Sequence, residues 1–547
     1  MTLRHPLEEL EAVRRLDWRF LFPRPEFGDV AWLGRSNPQV EESLRLVSTS
    51  VTVIDPSRAV PDDGRRFDLV VVRNPAKATV ERSVELLRPH GRLYIELSRG
   101  WARGLRPGRS LSRLVTALAR DGQDSVEAYW HFPNLARPYG IVALSQLGAV
   151  RHVLERAEHS VAARARRWLG HRLLKAGRFE LAVTDVSLVA GRRDGSEAEG
   201  QHMIELFLMQ NAARLDLGRY GLSESSESVL LTPQDQSSKC VVFLVMAKGG
   251  SPPVLAVKLP RLARFGDRLV QEAANLQAVQ RLRRQGFDTI PRLVACEESD
   301  GRPVLVQTAL AGEVLDPGAV RRDEQRTVTA VLAWLEDVWT PTLALADSGW
   351  YERLIELPLQ RFEQSLPEHD DVLGLVSSTR RLLEPLRSAH LPSTLEHGDL
   401  SYPNIIQLED GRIGVVDWEL AELEGVPTHD LFFFLTFIAF ARSRADRLHT
   451  RLEAFDAAFV APGAWAKRYV ADYARRTGID PVLLTPLLVA CWARYTVGLL
   501  PRVGEPEKRA GTGTSVGSTY IERSWYRALW QHAVANASRL DWRDGSW

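Results

Sequence analysis

The sequence predicts two successive parts, an α/β part built on a parallel sheet and an α+β part with a small antiparallel-sheet lobe and a large, mostly helical lobe. Short β-branched runs alternate with helical stretches up to residue 191, short strands follow one another closely after residue 228, and helical patterns dominate beyond about residue 320. The polar stretch 192–202 lacks apolar periodicity and is predicted to be a linker. The expected domains are therefore 1–191, a small lobe at 203–310 and a large lobe at 311–547.

Composition excludes several classes of protein. The chain has 547 residues, of which 45% are hydrophobic and 25% are charged, as in ordinary globular proteins with several domains. A net charge of +1 gives no general attraction to polyanions, so we expect no nucleic-acid partner. The three cysteines have neither disulfide-framework nor metal-site spacing. The N-terminal region is too charged for a signal peptide and the apolar run 431–441 is too short to span a bilayer, so we expect a cytoplasmic protein without a membrane partner.

The first part contains four strand-like runs, near 29–34, 50–56, 67–74 and 91–98. The spacing between them leaves room for crossover helices, which is typical of a parallel sheet. The run 180–189 is predicted to be a closing strand of the same sheet.

The second part begins with strand-like runs at 228–233, 240–247 and 254–259, whose short connectors favour an antiparallel meander. A helix is predicted over 267–285 because apolar residues recur there at three- and four-residue steps. A further hairpin follows, with its turn at 299–301.

The stretch 395–431 combines two acidic residues and one amide in short loops between strands. Asp399 lies five residues before Asn404, and Asp417 follows the apolar strand 413–416. A hairpin with its turn at 409–411 would return Asp417 to the neighbourhood of Asn404. A carboxylate and an amide oxygen brought together suit Mg²⁺, and Asp399 is then left to accept a proton. Phosphoryl transfer requires this combination of metal site and base.

These motifs resemble the aminoglycoside phosphotransferase and choline kinase family, relatives of the protein kinases. The matching residues are His397, Gly398, Asp399, Leu400, Asn404, Asp417, Trp418, Glu419, Gly425, Pro427 and Asp430. The resemblance covers about 203–547 and implies a bilobal, protein-kinase-like fold that uses ATP and Mg²⁺. It implies that Asp399 is the catalytic base and that Asn404 and Asp417 bind Mg²⁺. It also implies that Asp430 braces the catalytic loop and that His397 orients backbone.

The small lobe carries a lysine and a glutamate in the order that a kinase-like nucleotide site needs. Lys258 ends a strand, and Glu272 follows fourteen residues later on the predicted helix. In the kinase-like fold such a lysine holds the α- and β-phosphates, and the glutamate fixes the lysine.

The loop expected to cover the phosphates, 233–239, contains no glycine, although kinases use glycine there for close backbone approach. Hydroxyl and amide groups of Ser237 and Ser238 are expected to serve instead. At the junction of the two lobes, the resemblance implies that backbone groups of Gln307, Thr308 and Ala309 meet the adenine edge.

The first part resembles a class I S-adenosylmethionine-dependent methyltransferase, which implies a Rossmann-like parallel sheet over 1–191. The resemblance assigns Gly34 to the turn after the first strand and Asp55 to the ribose hydroxyls of S-adenosylmethionine. The glycine-rich turn of that family is reduced here to Gly34, since Arg35 and Asn37 stand nearby instead of further glycines. An active methyltransferase and a degenerate scaffold both remain open.

The sequence therefore predicts an enzyme that transfers the γ-phosphate of ATP to a hydroxyl of a small molecule, such as an aminoglycoside, an amino alcohol or a sugar-like compound. Two alternatives remain open. One is a methyltransferase or bifunctional enzyme in which the kinase-like part presents the substrate, and the other is a pseudokinase scaffold.

Overall fold

A computed structural model describes residues 6–55, 64–98, 107–123, 125–156, 161–192, 202–222, 226–235, 238–249, 252–282, 287–339, 344–345, 349–365, 370–500, 524–540 and 542.

The described residues form eighteen strands. They are β1 (Phe27–Leu33), β2 (Ser48–Ile54), β3 (Phe67–Arg73), β4 (Leu87–Leu97), β5 (Ser125–Phe132), β6 (Gly140–Ala143), β7 (Val186–Gly191), β8 (Ser226–Leu231), β9 (Cys240–Ala247), β10 (Leu255–Pro260), β11 (Leu293–Ser299), β12 (Arg302–Thr308), β13 (Gly312–Val314), β14 (Ala344–Leu345), β15 (Pro392–Glu396), β16 (Ile405–Leu408), β17 (Ile413–Val415) and β18 (Glu422–Gly425).

The α-helices are α1 (Pro6–Arg14), α2 (Pro38–Arg45), α3 (Lys77–Glu85), α4 (Pro107–Arg120), α5 (Leu147–Glu155), α6 (Val161–Lys175), α7 (Met203–Asn211), α8 (Asp267–Leu282), α9 (Pro317–Arg322), α10 (Glu324–Trp339), α11 (Leu357–Ser365), α12 (Asp370–Arg387), α13 (His429–Ser443), α14 (Leu448–Phe455), α15 (Lys467–Thr477), α16 (Leu484–Val497) and α17 (Trp525–Ala535).

The first part of the chain contains the parallel sheet that its strand spacing predicts. The four strands β1 to β4 lie in the order β2-β1-β3-β4, and each neighbouring pair is parallel. Strand β7 lies between β4 and β5 and is antiparallel to both. It begins at Val186, later than the predicted run at 180–189, because 179–181 form a short 3₁₀ turn. The Rossmann-like assignment of the whole domain stays a prediction.

The small lobe has the predicted antiparallel arrangement. Strands β8, β9 and β10 form a meander, and the hairpin β11–β12 pairs with β10 to give the order β8-β9-β10-β12-β11. Helix α8 covers 267–282 of the predicted range 267–285, whose last three residues lie outside the described part of the chain, and it buries Leu269, Ala273, Leu276 and Val279.

The two sheets are joined into one. Strand β6 pairs antiparallel with β8, so twelve strands form a continuous sheet that runs from β11 to β2. One buried cluster contains Trp18, Tyr94 and Tyr129 from the first part together with Phe243 and Val257 from the small lobe. Of the predicted linker, 193–201 lies outside the described residues. The sheet and its core extend across this boundary.

The large lobe consists of α9 to α17 and two three-stranded sheets, β13-β16-β17 and β14-β15-β18. The apolar run 431–441 lies in α13, whose side chains are almost all buried. A helix that is apolar on every face is expected at the centre of a bundle, and the core of this lobe surrounds α13. Among the described helices, none has both the length and the hydropathy required to cross a bilayer.

Candidate active site

The side chains of Lys258, Glu272 and Asp417 meet between the two lobes. Lys258 lies on β10 and donates to both carboxylate oxygens of Glu272 on α8, at 2.7 and 2.8 Å. Its Nζ also lies 3.0 Å from Oδ1 of Asp417, which immediately precedes a 3₁₀ turn of the large lobe. The structure therefore brings together three predicted site residues that are separated by up to 159 positions in the sequence.

The charges of this cluster depend on one another. Burial by itself would lower the pKa of Lys258, but the negative charges of Asp417 and Glu272 raise it by a larger amount. The pKa of Lys258 therefore lies above its ordinary value. Burial raises the pKa of Glu272, and the negative charge of Asp417 adds to this effect while Lys258 opposes it. Lys258 therefore carries its positive charge into the cleft, where phosphate groups would be attracted to it.

Helix α8 is fixed to the segment that follows Asp417. Nδ2 of Asn275 donates to the carbonyl oxygen of Trp418 at 2.8 Å, and Arg268 pairs with Glu419 at 3.1 Å. Asn275 is buried, so this polar contact is shielded from water. The position of Glu272 is therefore coupled to the large lobe, a contact that the sequence analysis did not identify.

The loop predicted to be catalytic, called the catalytic loop below, begins where β15 ends and is held by Asp430. The backbone amides of His397 and Gly398 donate to the two carboxylate oxygens of Asp430, at 2.6 and 2.9 Å. Gly398 has φ +84°, and a Cβ there would lie 2.7 Å from the carbonyl oxygen of Leu420, so only glycine fits. Asp430 is buried and has the contacts expected of a brace.

His397 links the catalytic loop to the strand before Asp417. Its Nδ1 accepts from the amide of Asp399 at 3.2 Å, so its Nε2 carries the proton and donates to the carbonyl oxygen of Val416 at 3.0 Å. Burial lowers the pKa of His397 to about 4. The neutral ring therefore contacts backbone on both sides, at the amide of Asp399 and at the carbonyl oxygen of Val416.

Asn404 and Asp417 offer oxygen atoms of the kind that Mg²⁺ prefers. Nδ2 of Asn404 donates to the carbonyl oxygen of Asp399 at 2.9 Å, which leaves Oδ1 as the acceptor atom of that side chain. The amide of Val416 donates to the carbonyl oxygen of Asn404 at 3.0 Å, so the segments that carry Asn404 and Asp417 are adjacent.

The backbone of Asp417 has φ +72°, in the left-handed region that aspartate tolerates better than most residues. The described residues contain no cluster of three or more His, Cys, Asp or Glu side chains arranged for a metal. The donor set present, one carboxylate and one amide, suits an ion whose remaining ligands are phosphate oxygens and water.

Asp399 is held mainly through its backbone. Its carbonyl oxygen accepts from the amide of Ser401 at 2.8 Å as well as from Asn404, and its Oδ1 accepts from the hydroxyl of Ser401 at 3.3 Å. A carboxylate held in this way can accept the proton of a hydroxyl.

A buried ion pair supports the start of the catalytic loop. The guanidinium of Arg494 on α16 donates to both oxygens of Glu396, each at 2.9 Å, and the amide of Val426 donates to Glu396 at 2.8 Å. Glu396 is 2% exposed and immediately precedes His397. Burial raises the pKa of Glu396, but the Arg494 guanidinium and His429 lower it more, so the carboxylate stays charged. The sequence analysis missed this pair because its members are 98 positions apart.

Of the two serines predicted at the phosphate loop, Ser237 lies outside the described residues. The hydroxyl of Ser238 donates to the carbonyl oxygen of Cys240 at 3.3 Å and accepts from Arg261 at 3.1 Å. The hydroxyl of Ser238 is therefore hydrogen-bonded within the small lobe.

The predicted adenine-contacting segment consists of Gln307 and Thr308, the last two residues of β12, and Ala309. Gln307 is buried and pairs with Ala256 and Leu293 in the neighbouring strands. The amides of Thr308 and Ala309 donate to the carbonyl oxygens of Arg292 and Val254, each at 2.9 Å. These two amides are thus used within the small lobe.

Gly34 and Asp55 lie side by side at one edge of the first sheet. They follow the last residues of β1 and β2, which pair as parallel neighbours. The carboxyl edge of a parallel sheet is where α/β domains bind ligands. The indole of Trp32 packs against Gly34, at 3.0 Å from the position of a Cβ there, and donates to the carbonyl oxygen of Arg35. The indole of Trp32 therefore fills the space beside Gly34.

Known proteins resemble the second part of the chain. Residues 235–477 match the model of the phosphotransferase enzyme family. No curated protein matches the chain significantly.

Solved structures of low identity align with about three fifths of the chain. The aminoglycoside phosphotransferase APH(4)-Ia, in a ternary complex with ADP and hygromycin B, has 13% identity and a TM-score of 0.38, with 60% of this chain and 98% of that chain covered. A choline kinase from Streptococcus pneumoniae has 12% identity, a TM-score of 0.34 and coverages of 60% and 99%. An ethanolamine kinase from Plasmodium vivax has 10% identity, a TM-score of 0.37 and coverages of 62% and 91%.

The family model spans the stretch that carries Lys258, Asp399 and Asp417. The resemblance predicted from the motifs is confirmed for this part of the chain, since residues 235–477 match the model of the phosphotransferase enzyme family.

Proposed function

We propose that the chain is an ATP- and Mg²⁺-dependent phosphotransferase that transfers the γ-phosphate to a hydroxyl of a small molecule. The contact of Lys258 with both Glu272 and Asp417 is the observation that carries the proposal, because it unites the phosphate-binding lysine with the metal-binding carboxylate. The match of residues 235–477 to the phosphotransferase enzyme family supports the same reaction class.

In the proposed reaction, Asp399 accepts the proton of the acceptor hydroxyl and orients that oxygen toward the terminal phosphate. Lys258, positioned by Glu272, binds the α- and β-phosphates. Asn404 and Asp417 would hold Mg²⁺, which neutralises the charge on the phosphate oxygens when it is bound. Asp430 and His397 keep the loop of Asp399 in place through the backbone contacts described above.

The nucleotide base would lie against the segment between the lobes. Because the amides of Thr308 and Ala309 donate within the small lobe, and Gly312 pairs with β16, we propose that carbonyl groups of this segment and the backbone of 310–311 bind the adenine edge. The acceptor would be an aminoglycoside, an amino alcohol or a sugar-like compound, as the motif resemblance implies.

A direct test combines nucleotide binding with a screen of acceptors. Calorimetry should detect ATP binding that requires Mg²⁺, and a library of hydroxyl compounds should contain acceptors that become phosphorylated. The variant Asp417→Asn should lose the Mg²⁺-dependent part of the affinity. A wild-type chain that binds neither ATP nor GTP would overturn the proposal.

A second activity in the first domain is proposed only as an alternative. The position of Gly34 and Asp55 at adjacent strand ends favours a ligand site there, whereas the packing of Trp32 on Gly34 disfavours S-adenosylmethionine. Titration with S-adenosylmethionine distinguishes a methyltransferase or bifunctional enzyme, which binds it, from a degenerate scaffold, which does not.

A pseudokinase scaffold is the third alternative. Such a protein needs no base, so substitution of Asp399 would leave its binding properties and biological effect unchanged. Loss of phosphorylation in an Asp399→Ala variant would exclude it.

A further inference from the structure

The loop over the predicted phosphate site begins and ends on one arginine. Arg261 follows β10 directly, three residues after Lys258, and its side chain is fully buried. Its Nη2 donates to the carbonyl oxygen of Pro233 at 2.9 Å, and its Nη1 donates to the carbonyl oxygen of Ser238 at 2.6 Å. One guanidinium therefore fixes both described ends of a loop that contains no glycine.

The partner of Arg261 comes from the N-terminal segment. Both carboxylate oxygens of Asp17 accept from Arg261. Nε of Arg261 lies 2.9 Å from Oδ1 and 3.1 Å from Oδ2 of Asp17, and Nη2 lies 2.8 Å from Oδ2. With the additional contact to the Ser238 hydroxyl, all five N–H donors of the guanidinium have acceptors. Asp17 is 1% exposed and lies 244 positions before Arg261.

Two further arginines of this segment reach the same region. Arg14 donates to the carbonyl oxygen of Asp235 at 2.5 Å, within the loop itself. Arg19 is buried and donates to the backbone carbonyl of Arg261. The segment 14–19 therefore contacts the loop directly at one point and through Arg261 at two others.

We propose that Asp17 and Arg261 are positioning residues for the phosphate-binding loop, so that the N-terminal segment contributes to nucleotide binding without touching the nucleotide. This proposal rests on the proposed function. A planar guanidinium that is held bidentately by a carboxylate presents its remaining donors in a fixed direction. A glycine-rich loop can approach phosphate closely because its backbone adopts conformations that other residues avoid. In this loop, we expect the hold of Arg261 on both ends to favour the conformation that binds phosphate.

The test uses the full chain and two variants. Arg261→Lys keeps the positive charge beside Asp17 but cannot hold both loop ends, and Asp17→Asn removes the charge that orients Arg261. We expect the KM for ATP and the dissociation constant for ADP to rise about tenfold in Arg261→Lys, since contacts of a charged donor are lost. We expect the KM for the acceptor to change less than twofold, because the large lobe is unaltered.

A matched control separates positioning from general weakening of the lobe. Glu26 pairs with the buried Arg302, which donates to the backbone carbonyl oxygens of Pro260 and Arg261 but makes no contact with the Arg261 guanidinium or the loop among the contacts given above. In the unliganded protein, hydrogen exchange of a peptide covering 231–240 should accelerate in Arg261→Lys and Asp17→Asn and stay unchanged in Glu26→Gln.

Each result decides between distinct conclusions. Unchanged nucleotide affinity and unchanged exchange in both variants overturn the positioning role and leave the proposed function standing. If hydrogen exchange of the 231–240 peptide accelerates equally in Glu26→Gln, the positioning role is also overturned, because the small lobe as a whole would then be weakened. A wild-type chain that binds no nucleotide overturns the proposed function and the role in nucleotide binding together, while exchange still reports whether the loop ends are fixed.

Discussion

Asp399 is the residue at which function and stability separate most clearly. The hydrogen bonds from the Ser401 amide and from Asn404 go to the backbone carbonyl oxygen, and an alanine side chain would preserve them, while the 3.3 Å contact of the Ser401 hydroxyl with Oδ1 would be lost. We therefore expect Asp399→Ala to reduce kcat by about 10²- to 10⁴-fold through loss of the base while the melting temperature stays within a few degrees. Steady-state kinetics and thermal denaturation of the same preparation provide the measurement. Undiminished kcat would remove Asp399 from the mechanism.

His131 gives the fold a dependence on pH away from the active site. It is buried in β5, its Nε2 lies 2.8 Å from the hydroxyl of Ser187, and burial lowers its pKa to about 3. In the unfolded chain the pKa of His131 is about 6.5, so its ring binds a proton below that pH, whereas in the folded chain the ring stays neutral. The free energy of unfolding therefore falls as the pH decreases from 6.5. At pH 5 the loss from this one group is about 2 kcal/mol relative to pH 8.

Urea denaturation of wild type and His131→Gln between pH 8 and pH 5 measures this contribution. The free energy of unfolding of the variant should fall less over this pH range. Its slope against pH should be smaller below pH 6.5 by the amount that corresponds to one bound proton. The remaining slope of both proteins would include His397 and His429, whose pKa values burial also lowers, to about 4. Identical slopes in the two proteins would show that His131 is not held neutral.

At the scale of elements, α16 is connected to the catalytic loop by the Glu396–Arg494 pair. Arg494→Met would leave a buried carboxylate without its cation, and such a loss typically costs about 3–5 kcal/mol. The double variant Glu396→Gln with Arg494→Met should recover most of that loss, because no buried charge remains and the glutamine oxygen can still accept from Val426. Denaturant titration of the two single variants and the double variant gives the coupling energy, and additive effects would contradict the prediction.

The sequence predicted the elements well where the information is local. Strand runs, the α8 helix and the two hairpins in the second part were located by periodicity and turn residues, and the ordered motifs identified Lys258, Glu272, Asp399 and Asp417. The contacts that hold these residues were not predictable in the same way. Asp17 meets Arg261 across 244 positions, and each residue taken alone is indistinguishable from an ordinary surface charge.

At the scale of the whole molecule, the first part and the small lobe share one sheet and one buried cluster. The predicted boundary at 192–202 was drawn from a change in composition, and composition carries no information about which strand edges pair. Strand β6 has only four residues, yet its pairing with Leu231, Leu230 and Val229 of β8 joins the two sheets. The shared core around Trp18 and Phe243 gives the junction an apolar interior.

This continuity predicts that the kinase-like part does not fold alone. A fragment of residues 203–547 would expose the edge of β8 and the apolar residues that face the first part, and a bare edge beside apolar surface promotes aggregation. We expect the fragment to be largely insoluble or to bind a hydrophobic dye, whereas the full chain is soluble and shows a single calorimetric transition for the first part and small lobe together. Co-expression with residues 1–202 should restore solubility, since the missing edge and core are then supplied. A soluble fragment that melts at the temperature of the full chain would show that the shared sheet contributes little to the stability of the small lobe.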